Sequence, residues 1–428
     1  MQTSSFTCGF SSENRNPDLE ITGISSEDRI QDLGIDVEHL VRMRRYLHVN
    51  PELSGFEENT IRYIEEELLR LQIEYVVVEK GGIIARITGN GRHSPVVLLR
   101  ADMDALPVQE SPCNLVREKQ VLSGTEKAAH VCGHDAHTAM LLSAAEVLNR
   151  KKDRFYGTIL LCFERAEENG GPDHSYGYKP IFRYLEDHGI WPDTCFALHV
   201  RPGLESGLIS AEPGGAYAGS FGFSIRILGS GGHGSRPDQT NHPLDCFTAF
   251  YQALQGLPMR TNSPFETFTF SIPVVRTGEA VNVIPDSLYF AGTARSYDMD
   301  LLNNFRTRFF ECLHACCGMY GCTYEEVFSW MDEALINRKE DAFRLKEALE
   351  KSAPGCYRAC EPSLGSETFA RYTKKYGGAL AFLGIDNKEL GSGAPLHSPE
   401  FDLDEDALSL GTAAHVLFAM KTLGGMPA

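Results

Sequence analysis

No apolar run among the 428 residues is long enough to cross a bilayer as a helix, which excludes a helical membrane span. Positive charge is also scarce. Lys and Arg number 40 against 58 Asp and Glu, and the formal net charge is −18. That balance excludes nucleic acid and anionic membrane as main partners and leaves a small-molecule substrate open. The opening stretch "MQTSSFTCGFSSENRNPDLE" has neither a basic start nor an apolar centre, so no secretory signal is expected. The 12 Cys are scattered irregularly; without a signal they are expected as reduced thiols in a cytoplasmic protein. Four of them, Cys312, Cys316, Cys317 and Cys322, crowd into "CLHACCGMYGC". That stretch lacks the C-x-x-C pairs of a zinc knuckle and is helix-like, so it is read as thiols packed as small hydrophobes. There is no internal repeat and no low-complexity tract.

What is present organises into two domains, as the length favours. Residues 1–35 form a polar N-terminal extension. Residues 36–220 alternate helical patterns with β-branched runs such as "YVVVE", "GIIARI" and "PVVLLRADMD". The last of these is almost continuously apolar, as a strand buried on both faces would be. Helices alternating with strands indicate an α/β fold, with a central mainly parallel sheet flanked by helices. The character changes over 221–331, where "SFGFSIRIL" and "FETFTFSIPVV" alternate apolar and polar residues. The order there is β-α-β-β-α-β, a small α+β, ferredoxin-like unit. From 332 to 428 the α/β character returns, so the small domain is an insertion.

The densest chemistry is "HVCGHDAH", residues 130–137, with a helical apolar run directly after it. The chain has only 14 His, and three of them fall in these eight positions. Other candidates end later strands: Glu167 and Glu168 close "GTILLCFERAEE", His199 closes "TCFALHV", and His397 sits in a loop before the last helix. The carboxyl ends of strands are where open α/β sheets build their sites. Thiolate, imidazole and carboxylate are the donors that zinc, manganese, nickel or cobalt accept. Adjacent glutamates suit a hydrolase that needs one carboxylate on a metal and another free to move a proton. Each residue also has a plain reading: a solvated glutamate pair, a core histidine, a loop histidine. Cys132 could instead be a nucleophile with His134 or His137 as its base. Spacing alone leaves these alternatives open.

The motifs resemble the aminoacylase and carboxypeptidase-type dinuclear metallohydrolases, in the branch of hippurate hydrolase and the indole-acetyl-amino acid amidohydrolases. The similarity runs through "RRYLHVNPELSGFEE" (44–58), "LLRADMDALPVQE" (98–110), "HVCGHDAHTAMLLSAAEVL" (130–148), "FERAEENGG" (163–171) and "FALHVRPG" (196–203). It continues in "GSGGHGSRPD" (229–238), "GEAVNVIPDSLYFAGTARSYD" (278–298), "GSETFARY" (365–372) and "LHSPEFDLDEDAL" (396–408). The resemblance implies a metal-dependent amidohydrolase acting on an N-acyl amino acid or similar conjugate. It implies two divalent metal ions per subunit, held by Cys132, His134, Glu168, His199 and His397, with Glu167 as general base. His130 and His137 would support the ligands from behind, and Asp104 would orient the site. The inserted domain becomes a lid and dimerisation domain of a homodimer. There His233 would reach the partner subunit's site to steady the oxyanion, and Asn282 and Arg295 would hold the substrate carboxylate. A dipeptidase or an amide-forming tailoring enzyme on the same fold is one alternative; a non-catalytic binding protein is another.

Three departures from the family pattern stand out. Glu164 and Arg165 replace a usual Gln-Pro before the glutamate pair. Thr368 replaces an aspartate after "GSE", and Ala136 replaces a glycine. None is a ligand or the base, but the first two alter the charge pattern beside Glu167.

Overall fold

The computed structural model describes residues 29–90, 95–169 and 175–424. Most of the N-terminal extension therefore lies outside the described residues. Its last part does not hang free: Leu33 is buried in the main core, with Ile30 and Ile35 packed against it. Helix α1 (Val37–Val49) begins where the Asp36 side chain accepts the His39 N–H, the usual N-cap arrangement. It buries Leu40, Met43 and Leu47 at helical spacing and stops at Asn50-Pro51. After α2 (Glu58–Arg70) come β1 (Glu74–Val78), β2 (Gly82–Thr88) and β3 (Val96–Asp102). Helix α3 (His134–Arg150) precedes β4 (Thr158–Glu164); α4 (Tyr178–Asp187) precedes β5 (Thr194–Glu205), with β6 (Ile209–Ser210) and β7 (Gly214–Tyr217) after it.

The second unit follows: β8 (Gly219–Leu228), β9 (Gly232–His233), α5 (Pro243–Gly256), α6 (Pro258–Thr261), β10 (Phe268–Arg276), β11 (Val283–Ile284), β12 (Ser287–Ser296), α7 (Met299–Met319) and β13 (Thr323–Asp332). The chain then returns through β14 (Leu335–Asn337), α8 (Lys339–Ser352), α9 (Phe369–Tyr376), β15 (Gly378–Asp386) and α10 (Leu408–Leu423).

The large sheet has the order β1-β2-β4-β3-β5-β15-β6. Its four central strands, β4, β3, β5 and β15, are parallel, and the flanking β2 and β6 join them antiparallel. Helices α3 and α10 pack in the core on one face of it. The other face carries α4 and α9, with Ile181, Leu185, Phe369 and Tyr372 buried. Covered on both sides, β3 is buried from Val97 to Asp102, which is why its sequence is almost unbroken apolar.

The smaller sheet, β10-β12-β8-β13, is fully antiparallel. Its covered face sets Phe221, Phe223 and Phe290 against Phe250 of α5 and Phe305 and Phe309 of α7. Cys246, Cys316, Cys317 and Cys322 are buried in that same cluster as free thiols. Among the described residues none of them joins a group that could hold a metal. No helix of the described residues is long and apolar enough to cross a membrane.

Candidate metal centre

Three segments depart from the expected positions at strand ends. The helix starts at His134, not after residue 137, because Gly133 takes a left-handed conformation (φ 85°) and turns the chain directly into α3. His134 and His137 thus occupy the first turn of the helix. His199 lies inside β5 because that strand outruns its neighbour: the β3 pairing ends at Ala197. Glu167 and Glu168 fall beyond β4, which ends at Glu164. The turn between is made by Ala166, a non-glycine residue at φ 54°, whose N–H is held by Glu57 Oε1 at 2.8 Å. Such a backbone is uncommon outside glycine and persists where its surroundings fix it. His397 also has positive φ, 65°, and its N–H donates to the Val131 carbonyl at 2.8 Å. That bond ties the last ligand loop to the first.

These segments bring all five expected ligands together. Cys132, His134 and His199 present donor atoms within 4.8 Å of one another, as do Cys132, Glu168 and His397. Cys132 is common to both groups. His134, Glu167 and Glu168 form a further group of the same size.

The hydrogen bonds decide which ring nitrogens are available. His199 Nδ1 donates to the Val200 carbonyl at 2.7 Å, so its Nε2 keeps a lone pair, 3.6 Å from Cys132 Sγ. Burial and the neighbouring His137 hold the His199 pKa well below the usual imidazole value. His134 Nδ1 pairs with Asp104 Oδ1 at 3.1 Å, which leaves its Nε2 buried without a hydrogen-bond partner. A buried nitrogen is rarely left in that condition; it faces Glu168 Oε1 and Asp102 Oδ2, each at 3.9 Å. Burial would lower the His134 pKa, but Asp102, Cys132 and Asp104 outweigh it and raise it well above the usual value.

His137 differs. Its Nε2 accepts the Val200 N–H at 3.0 Å, and its Nδ1 donates to Asp102 Oδ1 at 2.6 Å. Both nitrogens are engaged with protein, although Asp102, His134 and His137 also present donor atoms within 4.8 Å of one another. His130 is buried with neither ring nitrogen hydrogen-bonded, and burial pushes it down to about 4. Burial likewise pushes the Cys132 thiol well above its ordinary value, with Glu168 and Glu167 adding to the rise against His134. A nucleophilic cysteine needs the opposite surroundings. The donor set, one sulfur with imidazoles and a carboxylate around an orphaned buried nitrogen, fits a divalent metal.

Asp104 links the groups. Its Oδ1 holds His134, while its Oδ2 accepts from the Glu168 N–H at 3.0 Å and from Ser54 Oγ at 2.6 Å. Glu167 Oε1 accepts the Thr368 N–H at 2.9 Å. Burial raises the Glu167 carboxyl well above the usual range; Glu367 and Glu168 add to this, while Arg100 and His134 oppose it.

Residues 98–421 match the model of Peptidase family M20/M25/M40. The chain belongs to that family. Thermostable carboxypeptidase 2 of Saccharolobus solfataricus is 35% identical to this M20 chain, over 92% of it and 99% of the relative. IAA-amino acid hydrolase ILR1-like 4 of Arabidopsis thaliana is 32% identical, over 90% of this chain and 86% of the relative. Among solved structures, the YXEP protein of Bacillus subtilis, a dinuclear metal-binding peptidase of the M20 family, superposes with a TM-score of 0.76. It is 27% identical, over 91% of this chain and 99% of that one.

The other expected residues of this M20 chain lie on the small sheet's unit. His233, on β9, is exposed; its Nδ1 accepts the Ser235 N–H at 3.2 Å, so the proton sits on Nε2. Asn282 is adjacent, its carbonyl accepting the Gly234 N–H at 2.8 Å. Among the described residues, neither makes a hydrogen bond, ion pair or ring contact with the five ligands. Arg295 instead reaches the segment before α9, donating to Ser366 Oγ. Sequence reasoning passed over Arg100 and Asp102, which are buried beside the centre. The signal was present: two charges inside a strand otherwise apolar on both faces must find partners.

Proposed function

We propose that this protein hydrolyses the amide bond of an N-acyl amino acid or a similar conjugate, with Glu167 as general base. The observation that carries the reading is the pair of donor groups sharing Cys132, around the buried and unpartnered His134 Nε2. In this reading Cys132, His134, Glu168, His199 and His397 hold up to two divalent ions per chain. The thiolate favours zinc, with manganese, nickel and cobalt also accepted by the set. Bound there, the ions polarise the amide carbonyl and ease deprotonation of water. Glu167 takes the proton of the attacking water and passes it to the leaving amine. The Thr368 N–H holds one of its oxygens. Burial, with Glu367 and Glu168 nearby, shifts its carboxyl upward, the direction that favours taking up a proton.

The two sheets support a division into a hydrolase domain, 36–220 with 332–428, and a lid over 221–331. We assign the molecule as a homodimer in which His233, through Nε2–H, steadies the oxyanion of the partner's site. Asn282 and Arg295 hold the substrate carboxylate. The buried free thiols support a reducing, cytoplasmic location. The carboxypeptidase relative favours a second reading, a small peptide as substrate.

A panel of N-acyl amino acids and dipeptides, given to metal-reconstituted protein and followed by mass spectrometry, separates the two readings. Release of a free amino acid and a free acyl acid is expected. Glu167→Gln is expected to keep its metal and lose roughly 10²–10⁴-fold in turnover. Full turnover in that variant would remove Glu167 as the base.

A further inference from the structure

Arg100 lies in β3 with its side chain 2% exposed. Every nitrogen of its guanidinium has an acceptor. Nε donates to Glu164 Oε2 at 2.7 Å, Nη1 to Asp102 Oδ2 at 2.7 Å, and Nη2 to Thr368 Oγ1 at 2.9 Å. Glu367 Oε1 lies 3.1 Å from Nη1, and the Phe369 ring covers the group at 5.9 Å. One cation therefore fastens three segments: β3, the end of β4, and the loop leading into α9. The fastening continues one bond further. Thr368 accepts from Arg100 with its hydroxyl and donates to Glu167 Oε1 with its N–H. Where the hydroxyl is pinned, the amide that aims the carboxylate is pinned too.

Glu164 and Thr368 are also two of the positions at which the sequence departs from the motifs that its resemblance implies. The structure puts both on the same guanidinium. They are one coupled arrangement: the acid that balances Arg100 stands on the β4 side, and the residue touching Glu167 is neutral. A carboxylate at 368 would place a further negative charge on the very residue whose amide holds the base.

We propose that Arg100, Glu164 and Thr368 form a positioning unit that aims Glu167, touching neither substrate nor metal. The proposal rests on Glu167 being the general base. Buried charges are retained where they fix a geometry, and a catalytic group displaced by about 1 Å can cost roughly 10²-fold in rate.

The test uses metal-loaded full-length protein and the best N-acyl amino acid or dipeptide of the panel, with kcat, KM, metal content and melting temperature measured for each variant. Thr368→Val removes the hydroxyl and keeps the amide. It is expected to lower kcat roughly 10–10²-fold, with KM and metal content unchanged. Thr368→Ser, which restores the hydroxyl, is expected to recover most of that loss. Glu164→Gln is expected to lower kcat as well, and Glu164→Gln combined with Thr368→Asp, which moves the acid across the guanidinium, to regain a large part. A folded, metal-loaded Thr368→Val with unchanged kcat overturns the proposal. So does a kcat loss that follows metal loss or melting temperature, or a double variant no better than Glu164→Gln alone. Glu167→Gln run in parallel separates the two claims. If it stays active, the base assignment fails; if it is inactive while Thr368→Val is not, only the positioning unit fails.

Discussion

A histidine with one ring nitrogen engaged and the other left over is ready to bind a metal. His134 and His199 meet that condition, and His137, three residues along the same helix from His134, does not. Metal content should therefore fall in Cys132→Ser and in Glu168→Gln, read by elemental analysis of protein purified without chelator. A Cys132→Ser protein with full metal and activity would count against the thiol as a ligand. Charge is arranged as tightly behind the centre. Glu110 accepts from Lys119 Nζ at 2.8 Å and from the Ser123 N–H at 2.7 Å, and lies 3.1 Å from His48 Nε2. Burial would raise this carboxyl, but His48, Lys119 and the Ser123 amide outweigh burial and hold it down to about 2, from an ordinary 4.5. A depressed carboxyl stabilises the fold above its unfolded pKa, and the contribution is lost as pH falls through the folded value. Glu110→Gln should thus be less stable than the parent at pH 7, with the gap narrowing as pH drops from about 4.5 toward about 2. Denaturant titrations at several pH values read this; a gap independent of pH would show that Glu110 stays protonated or unpaired.

At the scale of elements, the helices and strands of the large domain were legible because their periodicity is local. The periods of α1, α2 and β3 follow from which side chains face the core. Where the site residues fall was less legible, because that depends on neighbours. His199 is inside β5 because β15 goes on pairing with that strand after β3 has left it. Glu167 lies past β4 because Ala166 turns the chain while Glu57, a hundred residues earlier in sequence, holds its amide. The start of α3 at His134 depends on Gly133. A Cβ built on Gly133 would stand 2.4 Å from Val200 Cγ2. Gly133→Ala must therefore push the first turn of α3 away from β5, against its positive φ as well. Cys132 and His134 flank that glycine, and His199 precedes Val200, so three ligands shift at once. The variant is expected to lose more than about 1 kcal/mol of stability and to bind metal more weakly. Calorimetry with and without chelator checks both, and an unchanged melting temperature would mean that the turn gives way freely.

At the scale of the molecule, two sheets share one chain, and the outer strands of the smaller one leave apolar side chains in the open. Val275 on β10 and Phe328 and Trp330 on β13 are all exposed, and uncovered edges of this kind invite pairing. If the lids pair and His233 serves the partner's site, mixing inactive His233→Ala with inactive Glu167→Gln protein should restore part of the activity. One site of each heterodimer then has both residues intact. No recovery after proven subunit exchange would confine His233 to its own chain. Chelation should lower the melting temperature of the whole domain, since an ion that binds only the folded state stabilises it by mass action. The chain of bonds from Asp102 through His137 to the Val200 amide has a consequence for how an ion arrives. Each bond of that chain joins protein groups. Uptake of the ion can then proceed without refolding, so a chelator-stripped protein returned to metal should regain its activity at the speed of ligation.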